Sequence, residues 1–200
     1  MSETPTLYSP RTQDNIQGEL EDIASKLLWF IGENPQREGL QETPKRMAKA
    51  WKEFFRGYDE DPVEILSCFF EEVGGYDEIV CLRNIRVESH CEHHFVPIIG
   101  TAHVAYLPDK RVVGISKLAR VVEAYSKRLQ VQERLTQQIA NTIMNVLNPR
   151  GVAVIIESQH HCMTTRGVHQ QNTSMITSSM LGVFRENDSS RAEVLAFLRA

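Results

Sequence analysis

Residues 79–106 read IVCLRNIRVESHCEHHFVPIIGTAHVAY. Ile79, Cys81, Ile85 and Val87 recur at strand spacing, with the alternation interrupted near Arg83-Asn84. From Phe95 to Tyr106 the chain is again β-rich, with Val96, Ile98, Ile99, Val104 and Tyr106. Gly100 is expected to mark a bulge there. Between the two apolar runs lies Glu88-Ser89-His90-Cys91-Glu92-His93-His94. It packs a thiol, two carboxylates and three imidazoles into one short corner, and no other stretch is so dense in groups that bind metal or move protons.

Working outward, the N-terminal side is helical. Ile16, Leu20, Ile23, Ala24, Leu27, Leu28 and Ile31 recur at helical spacing, which predicts an amphipathic helix from Asn15 to Ile31, closed by Asn34-Pro35. Thr43-Pro44 starts a second helix, running through Met47, Ala48 and the stripe Trp51, Phe54, Phe55, with Gly57 as its expected C-cap. Residues 1–13 are polar and are expected to form a disordered or swapped tail. On the C-terminal side, Pro108-Asp109 is a turn and Ser116 is expected to cap a helix through Leu118, Val121, Val122 and Tyr125. A second helix from about Val131 carries Leu135, Ile139, Ile143 and Leu147 on one face and stops at Asn148-Pro149. Val152 to Ser158 reads as a buried strand and Ser174 to Phe184 as the last one. Ser189 or Ser190 then caps a short terminal helix.

The order is helices, strands, two helices, strands, helix. Strands and helices do not alternate strictly, which favours an α+β domain, an antiparallel sheet with helices on one face, over a doubly wound parallel sheet. The expected organisation is a tail over 1–13, a helical extension over 14–75 and a catalytic domain over 76–200. A 200-residue chain with 42% hydrophobic and 24% charged residues has the makings of a globular core. Its net charge of −4 argues against a general nucleic-acid binder. No apolar run approaches the roughly 20 residues that span a bilayer. Residues 1–13 lack the basic start and apolar middle of a signal peptide, so a cytoplasmic location is expected.

A reducing compartment keeps thiols free. Of the four cysteines, Cys68 and Cys81 have apolar neighbours and are expected to be small buried hydrophobes. Cys91 and Cys162 each stand beside histidines. Cys91 and His94, three apart, can reach one ion from a single turn, and Cys162, in Gln159-His160-His161-Cys162, can supply a third ligand from a distant segment. Thiolate and imidazole are ligands that zinc prefers, and three of them leave a fourth position open, as catalytic sites require. His93 and His160 remain as a general acid and base, and Glu92 can orient them. Three other readings stay open: a closed structural clip with His160 or His93 as fourth ligand, a Cys91–Cys162 disulfide, and plain surface histidines.

An anionic substrate would call for cations. Lys117 and Arg120, one turn apart at a helix start with Ser116 beside them, could supply them, as could Arg166 and Arg46. Gln132-Glu133 opens the 131–147 helix, and the Glu133 carboxylate can accept two hydrogen bonds from a guanine edge. Each of these residues could equally be a solvated surface group or a helix cap.

Taken together, Cys91-Glu92-His93-His94, Gly114-Ile115-Ser116-Lys117-Leu118-Ala119-Arg120, Val131-Gln132-Glu133-Arg134-Leu135-Thr136, His160-His161-Cys162 with Arg166-Gly167, and Thr43-Pro44-x-Arg46 resemble GTP cyclohydrolase I. The resemblance runs from about Asp14 to the C-terminus. One departure is His161, where some members carry tyrosine. The resemblance implies the tunnelling fold, with an antiparallel four-stranded sheet, two helices packed on it and an N-terminal helical extension. It implies pentameric rings stacked into a homodecamer with active sites between subunits, and hydrolysis of GTP to formate and 7,8-dihydroneopterin triphosphate. Cys91, His94 and Cys162 match the Zn2+ ligands, and His160 and His93 the catalytic histidines. Glu133, helped by Gln132, matches the guanine anchor. Lys117, Arg120 and Arg166 match triphosphate ligands, with Arg46 reaching in from a neighbouring subunit and Ser116 assisting the later ribose rearrangement.

Two further classes compete. A deazaguanine nitrile reductase would use the cysteine as nucleophile with NADPH, but His94 three residues after Cys91 favours metal. A non-catalytic zinc-stabilised assembly protein would have no need of His93 and His160. A cytidine-deaminase type of zinc site is excluded because its Pro-Cys-x-x-Cys element is missing.

Overall fold

The computed structural model describes residues 13–71, 75 and 78–199, so the tail expected over residues 1–13 lies outside the described residues except for Gln13. The chain divides into two compact units, Met1–Glu53 and Phe54–Ala200. In the first, α1 (Gln13–Phe30) is followed by a 3-10 turn (Glu38–Leu40) and α2 (Thr43–Phe54). Pro44 sits in the first turn of α2, where a missing N–H costs nothing. Leu20, Ile23, Ala24 and Leu27 of α1 and Met47, Ala48 and Trp51 of α2 line one apolar cleft, so the helical periodicities meet as pattern alone required.

The second unit begins with a 3-10 turn (Arg56–Tyr58), α3 (Pro62–Leu66) and β1 (Phe69–Phe70). Residues 54–75 therefore belong with the sheet unit. There follow β2 (Val80–Cys91), β3 (Pro97–Leu107), β4 (Val112–Val113), α4 (Ile115–Ser126), β5 (Leu129–Gln130), α5 (Gln132–Leu147), β6 (Gly151–His160), α6 (His161–Thr164), β7 (Met175–Gly182), α7 (Val183–Glu186) and α8 (Asp188–Arg199). The main sheet has the order β5-β2-β3-β6-β7, and β1 pairs with β4 apart from it. Each neighbouring pair of its four long strands is antiparallel, while β5 adds two residues in parallel at the β2 edge.

Alternation along the strands decides which side is which. Val87, Val104, Tyr106, Val152, Val154 and Ile156 face α4 and α5 and are essentially sealed from water together with Leu118, Val122, Leu135, Ile139 and Ile143. Residues of opposite parity, Ala105, Ala153 and Met180, meet Val194 and Leu198 of α8 with Phe184. The sheet thus carries its main helical layer on one face, and the terminal helix against part of the other.

Several local expectations are corrected. The bulge lies between Leu82 and Ile85, where Asn84 takes φ +56, and not at Gly100, which holds regular register with Val87 and Ser158. Gly100 is needed for space: a Cβ there would meet Glu157 O at 2.0 Å and Ser158 Cα at 2.5 Å. Gly57 is no left-handed cap; it lies in the 3-10 turn, donates to Lys127 O at 3.1 Å, and a Cβ would strike Ala124 O at 2.1 Å. Gly114, not Ser116, is the N-cap of α4. At the C-terminus Asn187 Oδ1 accepts from Ser190 N at 2.9 Å, so the capping side chain precedes both serines. Cys68 is exposed and Cys81 half-buried. Cys68 falls between Leu66 and Phe69, which take the inward positions of that segment.

Gly100→Ala should therefore destabilise the protein by about 1–3 kcal/mol through overpacking against the β6 backbone. Denaturant unfolding measures this, and a bulge glycine in open space would tolerate the change.

Candidate active site

Register brings the two segments together. Ser89 pairs with Ile98, and Ile98 pairs with His160, so the three residues form one row across β2, β3 and β6. β2 and β6 run in the same direction on either side of β3. Cys91 lies two residues beyond the row at the end of β2, and Cys162 two residues beyond it in α6, which follows β6 directly. Both therefore emerge at one end of the sheet, over the Pro97 end of β3.

The ligand atoms of Cys91, His94 and Cys162 all lie within 4.8 Å of one another. Cys91 Sγ is 3.7 Å from His94 Nδ1. Donors held at 2.0–2.3 Å by a tetrahedral ion lie roughly 3.3–3.8 Å apart, so this pair already has ligand spacing. Two thiols and an imidazole suit zinc or another thiophilic ion. Neither His93 nor His160 belongs to this cluster of the described residues, although His93 Nδ1 is 3.9 Å from Cys91 Sγ. Three donors without a fourth His, Cys or carboxylate among the described residues fit the open arrangement better than the closed clip. All four cysteines are free thiols. Burial, and then the neighbouring Cys91, push the Cys162 thiol up, as expected of two thiols that face each other without a cation.

The corner that carries these ligands is tightly built. Cys91 N donates to Val96 O at 2.9 Å and Phe95 N to Cys91 O at 2.9 Å. Phe95 closes the turn at φ +56, an uncommon conformation for a bulky side chain. Glu92 N donates to Gln130 O at 3.1 Å, tying the corner to β5. The Glu92 carboxylate pairs with Arg134 at the start of α5 and stands 3.7 Å from His93 Nε2. Arg134 and Gln130 were not legible as site residues, because an arginine and a glutamine on an amphipathic helix and its lead-in carry no chemical signature of their own.

His160, at the end of β6, places Nε2 2.8 Å from Gln132 Oε1. Burial pulls the His160 imidazole below its ordinary range, and the nearby Glu133 carboxylate opposes this. Arg166 Nη1 donates to His94 Nε2 at 2.8 Å, which leaves the His94 ring hydrogen on Nδ1, toward the thiol. Cys91, His93, His94, Cys162 and Arg166 thus form one set of neighbours, and His160 with Gln132 and Glu133 a second, which joins the first through the chain from His160 to Cys162. Glu133 is exposed at the first turn of α5 while Gln132 is buried, so the adjacent pair faces opposite ways.

The remaining candidates are not brought there. Lys117 and Arg120 on α4 line a cavity of about 560 Å³ with Arg56, Glu60, Cys68 and Glu123. None of its lining residues is a metal candidate. Arg56 is already paired with Glu60 and Glu123, whereas among the described residues Lys117 and Arg120 have no carboxylate within 4.0 Å. Ser116 is exposed at the start of α4, and Arg46 is exposed on α2 in the other unit.

Comparison with known proteins adds three findings. The family model described as GTP cyclohydrolase I matches residues 20–199. A protein named GTP cyclohydrolase 1 from Maricaulis maris is 56% identical over 84% of this chain and 82% of its own length. Another of that name from Brucella anthropi is 51% identical over 92% of this chain and 86% of its own.

The cluster should take up one zinc per chain from zinc-supplemented buffer, read by metal analysis of the dialysed protein. Cys162→Ser should lose most of it, whereas His93→Ala, outside the cluster, should keep it.

Proposed function

We infer the chemistry of this site from one premise: the chain belongs to the GTP cyclohydrolase I family. It is an enzyme that converts GTP and water to formate and 7,8-dihydroneopterin triphosphate, in pterin and folate synthesis. The observation that carries the residue-level reading is the three-donor cluster with His93 on the same turn, and with His160, two residues before Cys162 in sequence, near Glu133.

In this reading Cys91, His94 and Cys162 hold zinc. When bound, the ion supplies Lewis acidity, which makes water a nucleophile near neutral pH. Glu133 accepts the ring N–H and the amino group of guanine and so fixes which edge of the base faces the cluster. His160 gives a proton to the imidazole ring of the purine as it opens at C8. His93, tethered by Glu92, moves a proton on the ribose side, and Ser116 assists the later ribose rearrangement. His94, with Nδ1 committed to metal, carries its hydrogen on Nε2 and no longer accepts from Arg166. Arg166 is then available to the triphosphate, along with Lys117 and Arg120 and with Arg46 of a neighbouring subunit.

That neighbour is central to the reading. Lys117 and Arg120 line a cavity without metal candidates, so one chain offers the two halves of a site apart from each other. A homodecamer of two stacked pentamers closes the site by joining the cation half of one subunit to the metal half of the next. The edge strand β7 is available for such pairing, and ring closure removes the exposed edge. The helical extension over 14–75 and the catalytic domain over 76–200 divide the work, with the part of the extension from Phe54 onward packed in the sheet unit. No helix of the described residues is long and apolar enough to cross a membrane, and the enzyme works in the cytoplasm.

Purified zinc-loaded protein given GTP should release formate and yield a pterin that fluoresces after oxidation; no product at any zinc loading would overturn the reading. Chelation should abolish turnover and zinc restore it. Cys162→Ser and Lys117→Ala should each be inactive alone. Unfolded together at equal amounts and reassembled, they should regain roughly a quarter of the active sites, because each site draws on two chains of a ring. No recovery on mixing would remove the shared site.

A further inference from the structure

Gln132 opens α5 and is completely buried. Its Nε2 lies 2.9 Å from Ile156 O, 2.9 Å from Met175 O and 3.1 Å from Thr177 Oγ1. Its Oε1 lies 2.6 Å from Ser158 Oγ and 2.8 Å from His160 Nε2. Backbone carbonyls only accept, so the amide nitrogen must be the atom that faces Ile156 and Met175. The amide cannot be turned over without setting its oxygen against two carbonyl oxygens. The surrounding hydroxyls agree. Thr136 spends its one hydrogen on Gln132 O at 2.7 Å, so in the 2.7 Å contact between Thr136 and Thr177 the donor is Thr177. Thr177 Oγ1 is thereby left to accept from the amide.

Two consequences follow from this closed network. The two amide hydrogens of Gln132 are shared among three protein acceptors and both lone-pair directions of its oxygen are taken by protein donors, so nothing remains for a base. Its oxygen can only accept, so the ring nitrogen of His160 that faces it must carry hydrogen. We propose that Gln132 is a positioning residue which holds neutral His160 in the Nε2–H tautomer, leaving Nδ1 as its lone-pair nitrogen, and does not touch guanine. Glu133, next in sequence and facing outward, keeps base recognition to itself. The inference rests on the reading of His160 as a proton carrier only for its kinetic consequence; the tautomer stands on the hydrogen bonds.

The test uses the assembled zinc-loaded protein, labelled with 15N in its histidine rings. His160 is assigned by the signals lost in His160→Asn. Two-bond 15N–1H correlations at a pH where the ring is neutral should show the hydrogen on Nε2, and hydrogen on Nδ1 in the wild type overturns the proposal. Kinetically, Gln132→Met should lower kcat about 10–100-fold with KM for GTP changed by less than about 3-fold. A raised KM with kcat intact would mean a substrate contact and would overturn it. If Gln132→Met does not fold, the wild-type spectrum still decides. Failure of the wild type to release formate would remove the functional reading and leave the tautomer result standing.

Discussion

The pairing of β3 with β2 on one side and β6 on the other is the constraint on which the rest depends. A one-residue slip of either strand would turn Val104, Val154 and their partners from the helical layer to the opposite face. The large apolar area beneath α4 and α5 therefore fixes the register, and the register puts Cys91 and Cys162 at the same end of the sheet. The core selects the geometry of the site without any of its residues belonging to the site.

Around that end the chain accepts local costs. Phe95 takes a left-handed conformation, Gln132 buries a whole amide and Lys127 buries its ammonium against Glu88 at 3.1 Å. A buried amide without partners would be costly, but Gln132 meets two carbonyls, two hydroxyls and an imidazole. Such a network is stiff, because each member is held by several others. Stiffness there suits a site whose imidazole has to keep one orientation.

The same sheet that gathers the metal candidates separates them from Lys117 and Arg120. α4 starts after β4, and its first turn opens on the cavity shared with α3, whereas α5 starts beside the metal corner through Arg134 and Glu92.

Much was legible beforehand. Periodicity gave the long helices, the four long strands and the break at Arg83-Asn84, because side-chain spacing is set by the chain's own geometry, whereas the short elements α3, α6, α7, β1, β4 and β5 carry too few residues to show a period. Residue chemistry marked Cys91, His94 and Cys162, because two thiols and an imidazole in such settings have few other uses. The functions of Gly100, Gly57 and Gln132 were not legible. Each depends on what a distant strand or helix places against it, and a glycine or glutamine looks the same whichever neighbour it has. By itself the sequence determined the elements, the α+β class and the ligand chemistry, since these follow from local spacing and from the functional groups. Only the tertiary structure decided that Gln132 faces inward while Glu133 faces out, and that Lys117 and Arg120 open on another cavity, because those facts are set by packing between segments far apart in the chain.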